Sequence, residues 1–177
     1  IAWVTTQDRD GHVNAAPYSF FNACGIEPPL VVLGLLKDFR TREMKDTATN
    51  IVETGEFVVN MPSRYEAFAT DLCGVISGRD CDKFARAGLT ASPAEHVRAP
   101  IIAECPINIE CRVKQTLPLG SHTLFIAEIV GVQVSKRLVN SEHHFSIEKA
   151  GLLAFAHGTY FELGKAIGSF GFSVKKK

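Results

Sequence analysis

Apolar positions in this chain fall into short runs, with few stretches at helical spacing. The opening IAWVTT (residues 1–6) is β-branched and aromatic, and the following Asp8-Arg-Asp-Gly11 is a turn signal, so a strand, a reversal and a second strand from Val13 are predicted. LVVLGLL (residues 30–36) is a near-continuous apolar run after Glu27-Pro-Pro29, which reads as a buried strand that the two prolines force to begin there. A helix from about Asp46 to Thr54, stopped by Gly55, leads into the strand FVVN (residues 57–60). The predicted order is therefore strand, strand, strand, helix, strand.

Ser63-Arg-Tyr-Glu66 has the spacing of a capping box and opens a helix running to about Cys73, with Gly74 as its stop. Residues 82–88 form another short helix ending at Gly88, and Ser92-Pro-Ala-Glu95 repeats the box, though Pro100 limits any helix there to a turn or two. From 101 to 134 the period changes to two: Ile107, Ile109, Cys111 and Val113 share one face, and Asn108, Glu110, Arg112 and Lys114 the other. Two long antiparallel strands joined by a turn within residues 117–122 follow from that pattern. Strands succeed one another without regular alternation with helices, so the expected class is mainly β (α+β), an antiparallel barrel with peripheral helices.

Composition narrows the function classes. A chain of 177 residues that is 46% hydrophobic suits one domain over 1–177, and its abrupt start inside a strand predicts that residues precede Ile1 in the full protein. Nineteen basic residues balance nineteen acidic ones, which removes the global field that favours nucleic acid or an anionic membrane. No apolar run approaches the ~20 residues of a membrane span, and no leader pattern opens the chain. The five cysteines, at 24, 73, 81, 105 and 111, are odd in number and include no Cys-x-x-Cys pair, so a reducing, cytoplasmic setting is expected. His143-His144 lacks companions at ligand spacing and reads as a solvated loop or helix end; no metal site is expected, and Lys175 to Lys177 read as a frayed terminus.

Candidate chemistry concentrates in MKDTATN (residues 44–50). A basic residue, an acid, two hydroxyls and an amide gather at a predicted helix start, where free N–H groups and the dipole favour an anion. Lys45, Arg42 and the Thr47 hydroxyl suit a phosphate, while Asp46 makes sense as a cap or as an orienter of Lys45 or Arg42. An ordinary capped surface helix is the plainer alternative. In residues 16–25, Ser19 and Asn22 sit among aromatics, with Pro17 and Gly25 interrupting any ladder, which fits a backbone presented to a planar ligand and equally a bulged edge strand. The glycines of residues 163–171 lack the dinucleotide-binding spacing, so they read as a terminal turn packed on the barrel or on a partner. Nothing resembles a nucleophile elbow, and Cys24 reads as a small buried apolar side chain.

Taken in order, AWVTTQDRDGHVNAAPYSFFNACGIEPPLVVLGL, KDTATNIVETGEFVVNMP, DKFARAGLT and IECRV resemble the flavin reductase-like family, the FMN-binding split-barrel proteins that include flavin reductases and flavoredoxin. The resemblance implies a six-stranded antiparallel Greek-key split barrel and a homodimer with FMN near the interface. By position it implies that Tyr18, Ser19, Phe20, Phe21, Asn22 and Ala23 wall the isoalloxazine and ribityl chain, and that Lys45, Thr47 and Asn50 meet the phosphate end. Cys24 and Arg42 adjoin these residues at the two places where the chain departs from the family pattern. The implied activity is an FMN-dependent oxidoreductase, most simply NAD(P)H-dependent reduction of flavin or a small acceptor, with the chemistry carried by FMN and not by a protein base. The alternative is a flavoredoxin-like carrier that passes electrons to a small-molecule or protein acceptor without using NAD(P)H directly.

Overall fold

The computed structural model describes residues 1–78, 81–142 and 144–174; His143 and Lys175 to Lys177, singled out above, lie outside the described residues. The predicted opening hairpin is present as β1 (Ala2–Gln7) and β2 (Val13–Tyr18), paired antiparallel. Its turn is held by the Asp8 carboxylate, whose Oδ1 accepts from the backbone N–H groups of Asp10 and His12. The next strand is not a continuation: the chain reverses at Ser19 and Phe20 into β3 (Phe21–Ile26), then β4 (Pro29–Leu36). Four strands thus precede the first helix instead of three, because the Phe21 N–H turns back to the Ser19 carbonyl and ends the ladder.

Helix α1 (Asp46–Thr54) ends at Gly55 with φ of +72°, as the sequence predicts, and β5 (Glu56–Met61) follows. The Ser63 capping box forms, as a single 3-10 turn ahead of α2 (Ala67–Val75). That helix passes through Gly74 instead of stopping there. A Cβ at residue 74 would stand 3.0 Å from the Pro17 ring, so this glycine serves the close approach of α2 to β2 and not helix termination. Helix α3 (Lys83–Ala87) is capped by the Asp82 carboxylate and ended by Gly88.

No helix forms at the second capping-box sequence. Ser92 belongs to the two-residue strand β6 (Ala91–Ser92), paired with β7 (Ile101–Ile102), and the N–H groups of Glu95 and His96 go to the Glu110 carboxylate. The long hairpin is β8 (Ile107–Leu119) and β9 (His122–Val134), its turn tighter than predicted because pairing continues to Leu119 and His122 around Gly120. A small ribbon of β10 (Leu153–Ala156) and β11 (Thr159–Glu162) closes the set.

Seven strands, one more than the resemblance implies, form the main sheet in the order β2-β1-β5-β8-β9-β4-β3. Consecutive β2 and β3 therefore end up at opposite edges, which splits the barrel. The class is mainly β, as expected. Its enclosed face holds Val4, Val31, Leu33, Phe57, Val59, Cys111 and Phe125, with Ala48 and Ile51 of α1 closing one end. On the other face Trp3 and Ala15 pack under α2 and α3 with Cys73, Phe84 and Ile102. Alternation along β1 explains the division: Val4 and Trp3 point to opposite sides. Residues 163–171 do not pack on the barrel of their own chain; Ile167 and Phe170 stand exposed, and the Ala166 N–H donates to Glu148. Among the described residues no helix is long and apolar enough to cross a membrane.

The second face of β8 is buried at its start, at Asn108 and Glu110, and Glu110 is fully enclosed there. Burial alone would raise its pKa, but the Glu95 N–H, the Gln133 side-chain amide and the His96 N–H outweigh it, and the net direction is down. A carboxylate whose folded pKa is depressed contributes stability above its unfolded pKa and loses it as pH falls through the folded value. Glu110→Gln is therefore expected to lower stability at neutral pH and to flatten the acid limb of a stability-against-pH curve; an unchanged acid limb would contradict the assignment.

Candidate functional site

A cavity of about 500 Å3 lies between the end of β2, the approach to α1, and the α2 terminus. Its lining includes Asn14, Pro17 and Tyr18 from β2, Met44, Lys45, Asp46 and Thr47 at the start of α1, Gly74 and Val75 at the end of α2 with Ile76 and Ser77 just beyond it, and Lys83 of α3. A second cavity of about 400 Å3 adjoins it, sharing Asn14 and Asp46 and adding Asp8, His12, Asn50 and Gly78. Both sizes fall in the range of about 300–1,000 Å3 typical of small-molecule sites.

The N-cap of α1 is Lys45, in extended conformation and making no side-chain cap, so neither Asp46 nor Thr47 takes that role. Asp46 occupies the first helical position, where a carboxylate suits the dipole, and Thr47 the second. Lys45 is exposed and free to follow a ligand; Thr47 is buried, its hydroxyl accepting from the Asn14 side-chain amide at 2.8 Å. Tyr18 also hydrogen-bonds Thr47. Burial pushes the Tyr18 hydroxyl up to about 12 against the Thr47 hydrogen bond, and Asp46 adds to the rise, so the phenol stays neutral and keeps its proton for donation. Among the described residues Asn14 Oδ1 is buried without a partner, an acceptor that a ligand hydroxyl would satisfy.

Tyr18, Lys45, Asp46 and Thr47 therefore come together in the larger cavity, and Asn50 lines the smaller one. Its amide nitrogen donates to Thr6 at 3.0 Å, which ties α1 to β1. Arg42 is exposed at φ +63° in a turn outside the lining, its N–H donating to the Asp38 carbonyl. Ser19 to Cys24 also lie outside the lining, along the β2–β3 turn and the edge strand β3. Phe20 meets His122 edge-on with centroids 5.0 Å apart, Phe21 packs against the core, and Asn22 and Ala23 are exposed. Cys24 is exposed and not buried, because it occupies the bulge between Ala23 and Gly25 on a strand with one free edge.

Sequence reasoning missed Asn14 and Lys83. A lone amide in the apolar strand VNAAPY was the available signal for the first. For Lys83 there was none, since its position in the lining depends on how α3 packs against β2. Cys73, also in the lining, has its thiol pushed up to about 11 by burial, which leaves it protonated and unsuited to nucleophilic work. The arrangement gathers a lysine, a helix N-terminus, a hydroxyl, an amide and a phenol ring around one cavity.

The model of the flavin reductase like domain matches residues 1–164. The chain belongs to the flavin reductase-like family. Among solved structures it is similar to flavoredoxin of Desulfovibrio vulgaris (Miyazaki F), with a TM-score of 0.87 at 30% identity, covering 98% of this chain and 91% of that one. It is also similar to nitrilotriacetate monooxygenase component B from Bacillus cereus, with a TM-score of 0.86 at 27% identity over 95% of this chain and 85% of that one. A third likeness is to 2-nitrobenzoate 2-nitroreductase of Pseudomonas fluorescens, with a TM-score of 0.83 at 26% identity over 99% and 86% of the two chains. The fold is thus the flavin reductase-like split barrel of flavoproteins, and these family neighbours support a role of oxidoreductase type.

Proposed function

We propose that the chain is an FMN-binding oxidoreductase that reduces flavin or a small acceptor with electrons from NAD(P)H. The observation that carries this reading is the convergence of Lys45, the α1 N-terminus, Thr47 and Tyr18 on one cavity in a flavin reductase-like chain. The residues fit the cofactor: Lys45 and the first-turn N–H groups suit its phosphate, and the orphaned Asn14 Oδ1 suits a ribityl hydroxyl. FMN, when bound, supplies the redox chemistry by accepting hydride or electrons and passing them on.

The chain's own part is to bind, orient and shield. Lys45 and Thr47 anchor the phosphate end, Asp46 sets the helix start, and Asn50 holds that helix against β1. The segment Tyr18, Ser19, Phe20, Phe21, Asn22, Ala23 and Cys24 borders the isoalloxazine, with Ser19, Asn22 and backbone amides as its polar contacts; Arg42 approaches the phosphate end from the turn before α1. Exposed β3 has an unpaired edge and suits a homodimer with FMN near the interface, in a cytoplasmic setting consistent with five free thiols.

Anaerobic addition of NADPH or NADH to the FMN-loaded protein is expected to bleach its visible flavin absorbance. Bands that survive both donors but bleach with a chemical reductant would replace this reading by an electron carrier, which the likeness to flavoredoxin favours as the second reading.

A further inference from the structure

Asn14 and Asp46 line both cavities, and they meet at a place that a glycine leaves open. A Cβ at residue 78 would stand 2.5 Å from Asn14 Oδ1 and 3.4 Å from Asp46 Oδ2, so both oxygens face the spot where Gly78 has no side chain. Asn14 is only 5% exposed, and its amide nitrogen donates to the Thr47 hydroxyl, which turns Oδ1 the other way. Among the described residues that oxygen has no partner, and it is aimed at the spot above Gly78. An orphan acceptor and a carboxylate oxygen facing one place call for a cation or a neutral donor. Charge decides between the two. The lining of the larger cavity sets Asp38, Glu43 and Asp46 against Lys45 and Lys83, an excess of one carboxylate, and Arg42, outside that lining, offsets that one and no more. The adjoining cavity adds Asp8, with the His12 ring hydrogen-bonded to it. A phosphate monoester brings up to two further negative charges. A neutral donor leaves that excess standing, whereas a divalent cation removes it. One carboxylate and one amide carbonyl suit Mg2+, which keeps several of its waters and is held by one or two carboxylates together with phosphate oxygens.

We propose that the junction of the two cavities, at Asn14, Asp46 and Gly78, is a Mg2+ site that helps to hold the cofactor phosphate. The assignment rests on the reading of the larger cavity as an FMN site and deepens it: Asp46, whose carboxylate would repel a bare phosphate, becomes a ligand of the ion that meets it. The Asn14 carbonyl oxygen has two lone pairs, so the ion and a ribityl hydroxyl can share it. A rival set lies in the first hairpin turn, where Asp8, Asp10 and His12 bring their ligand atoms within 4.8 Å of one another. There the Asp8 carboxylate already accepts from two backbone N–H groups and meets the His12 ring, and Asp10 and His12 are exposed.

The test titrates FMN and riboflavin, followed by flavin fluorescence, into chelator-treated protein and into the same protein with millimolar MgCl2 at constant ionic strength. Mn2+ bound to the FMN-loaded protein is measured alongside by electron paramagnetic resonance. The expected result is FMN binding tightened about tenfold by Mg2+, with riboflavin binding changed by less than about a factor of two, and bound Mn2+ that Mg2+ displaces. Gly78→Ala, whose Cβ fills the spot, is expected to lose both effects, and Asp8→Asn to keep them. FMN binding indifferent to Mg2+, or equal tightening of both flavins, would overturn the assignment. Mn2+ retained by Gly78→Ala and lost by Asp8→Asn would overturn it too, by moving the ion to the hairpin turn. Should Gly78→Ala not fold, Asp46→Asn decides, since it keeps the shape without the charge: loss of the Mg2+ effect supports the site, and a retained effect refutes it. A wild type that binds neither flavin refutes the FMN reading itself, and one that binds FMN equally with and without Mg2+ refutes only the cation site.

Discussion

Lys45→Glu is expected to weaken FMN binding by about a hundredfold or more while leaving the melting temperature nearly unchanged. The side chain is exposed and makes no cap, so its loss removes little from the fold. Its position is what matters: it is the N-cap of α1 and lines the cavity, beside N–H groups that favour an anion. Removing a charge-assisted hydrogen bond costs about 1.5–3 kcal/mol, and a carboxylate in its place adds repulsion to a phosphate that already faces Asp46. A glutamate at the helix start is compatible with the dipole, so helix loss does not confound the result. Fluorescence titration with FMN and a thermal melt of the same variant are the measurements; unchanged affinity would remove the phosphate role of this helix start.

Phe57→Ala is expected to destabilise the fold by about 3–5 kcal/mol, measured by denaturant unfolding. Phe57 is fully buried on β5, opposite Cys111 of β8, in the enclosed core that also receives Ala48 and Ile51 of α1. Truncation there leaves a cavity in the centre of the sheet, bordered by strands that are paired on both sides and cannot collapse to fill it. The same loss reaches the site, because α1 sits on that core. A cost below about 1 kcal/mol would show that the core relaxes far more freely than its packing indicates.

These effects also mark what the sequence revealed. Local signals translated directly: Gly55 and Gly88 end their helices, Asp82 and Ser63 cap theirs, and Gly11 turns the first hairpin. Signals that depend on distant partners misled. Gly74 looked like a stop but makes room for Pro17, and the box at Ser92 yields no helix because Glu110 claims its N–H groups. Cys24 looked like a core residue because a bulge on an edge strand leaves no mark in composition. In the site, Lys45, Asp46 and Thr47 were legible since a helix start is a local event. Asn14 and Lys83 were not, because only the packing of β2, α2 and α3 brings them to the same cavity.

The most direct test of the central claim is the visible absorbance of the purified protein titrated with FMN. Saturable flavin bands that stay with the protein through desalting, and that weaken in Lys45→Glu, are the predicted result. A protein that remains colourless at saturating FMN would contradict the assignment of the cavity at the α1 N-terminus as a flavin site.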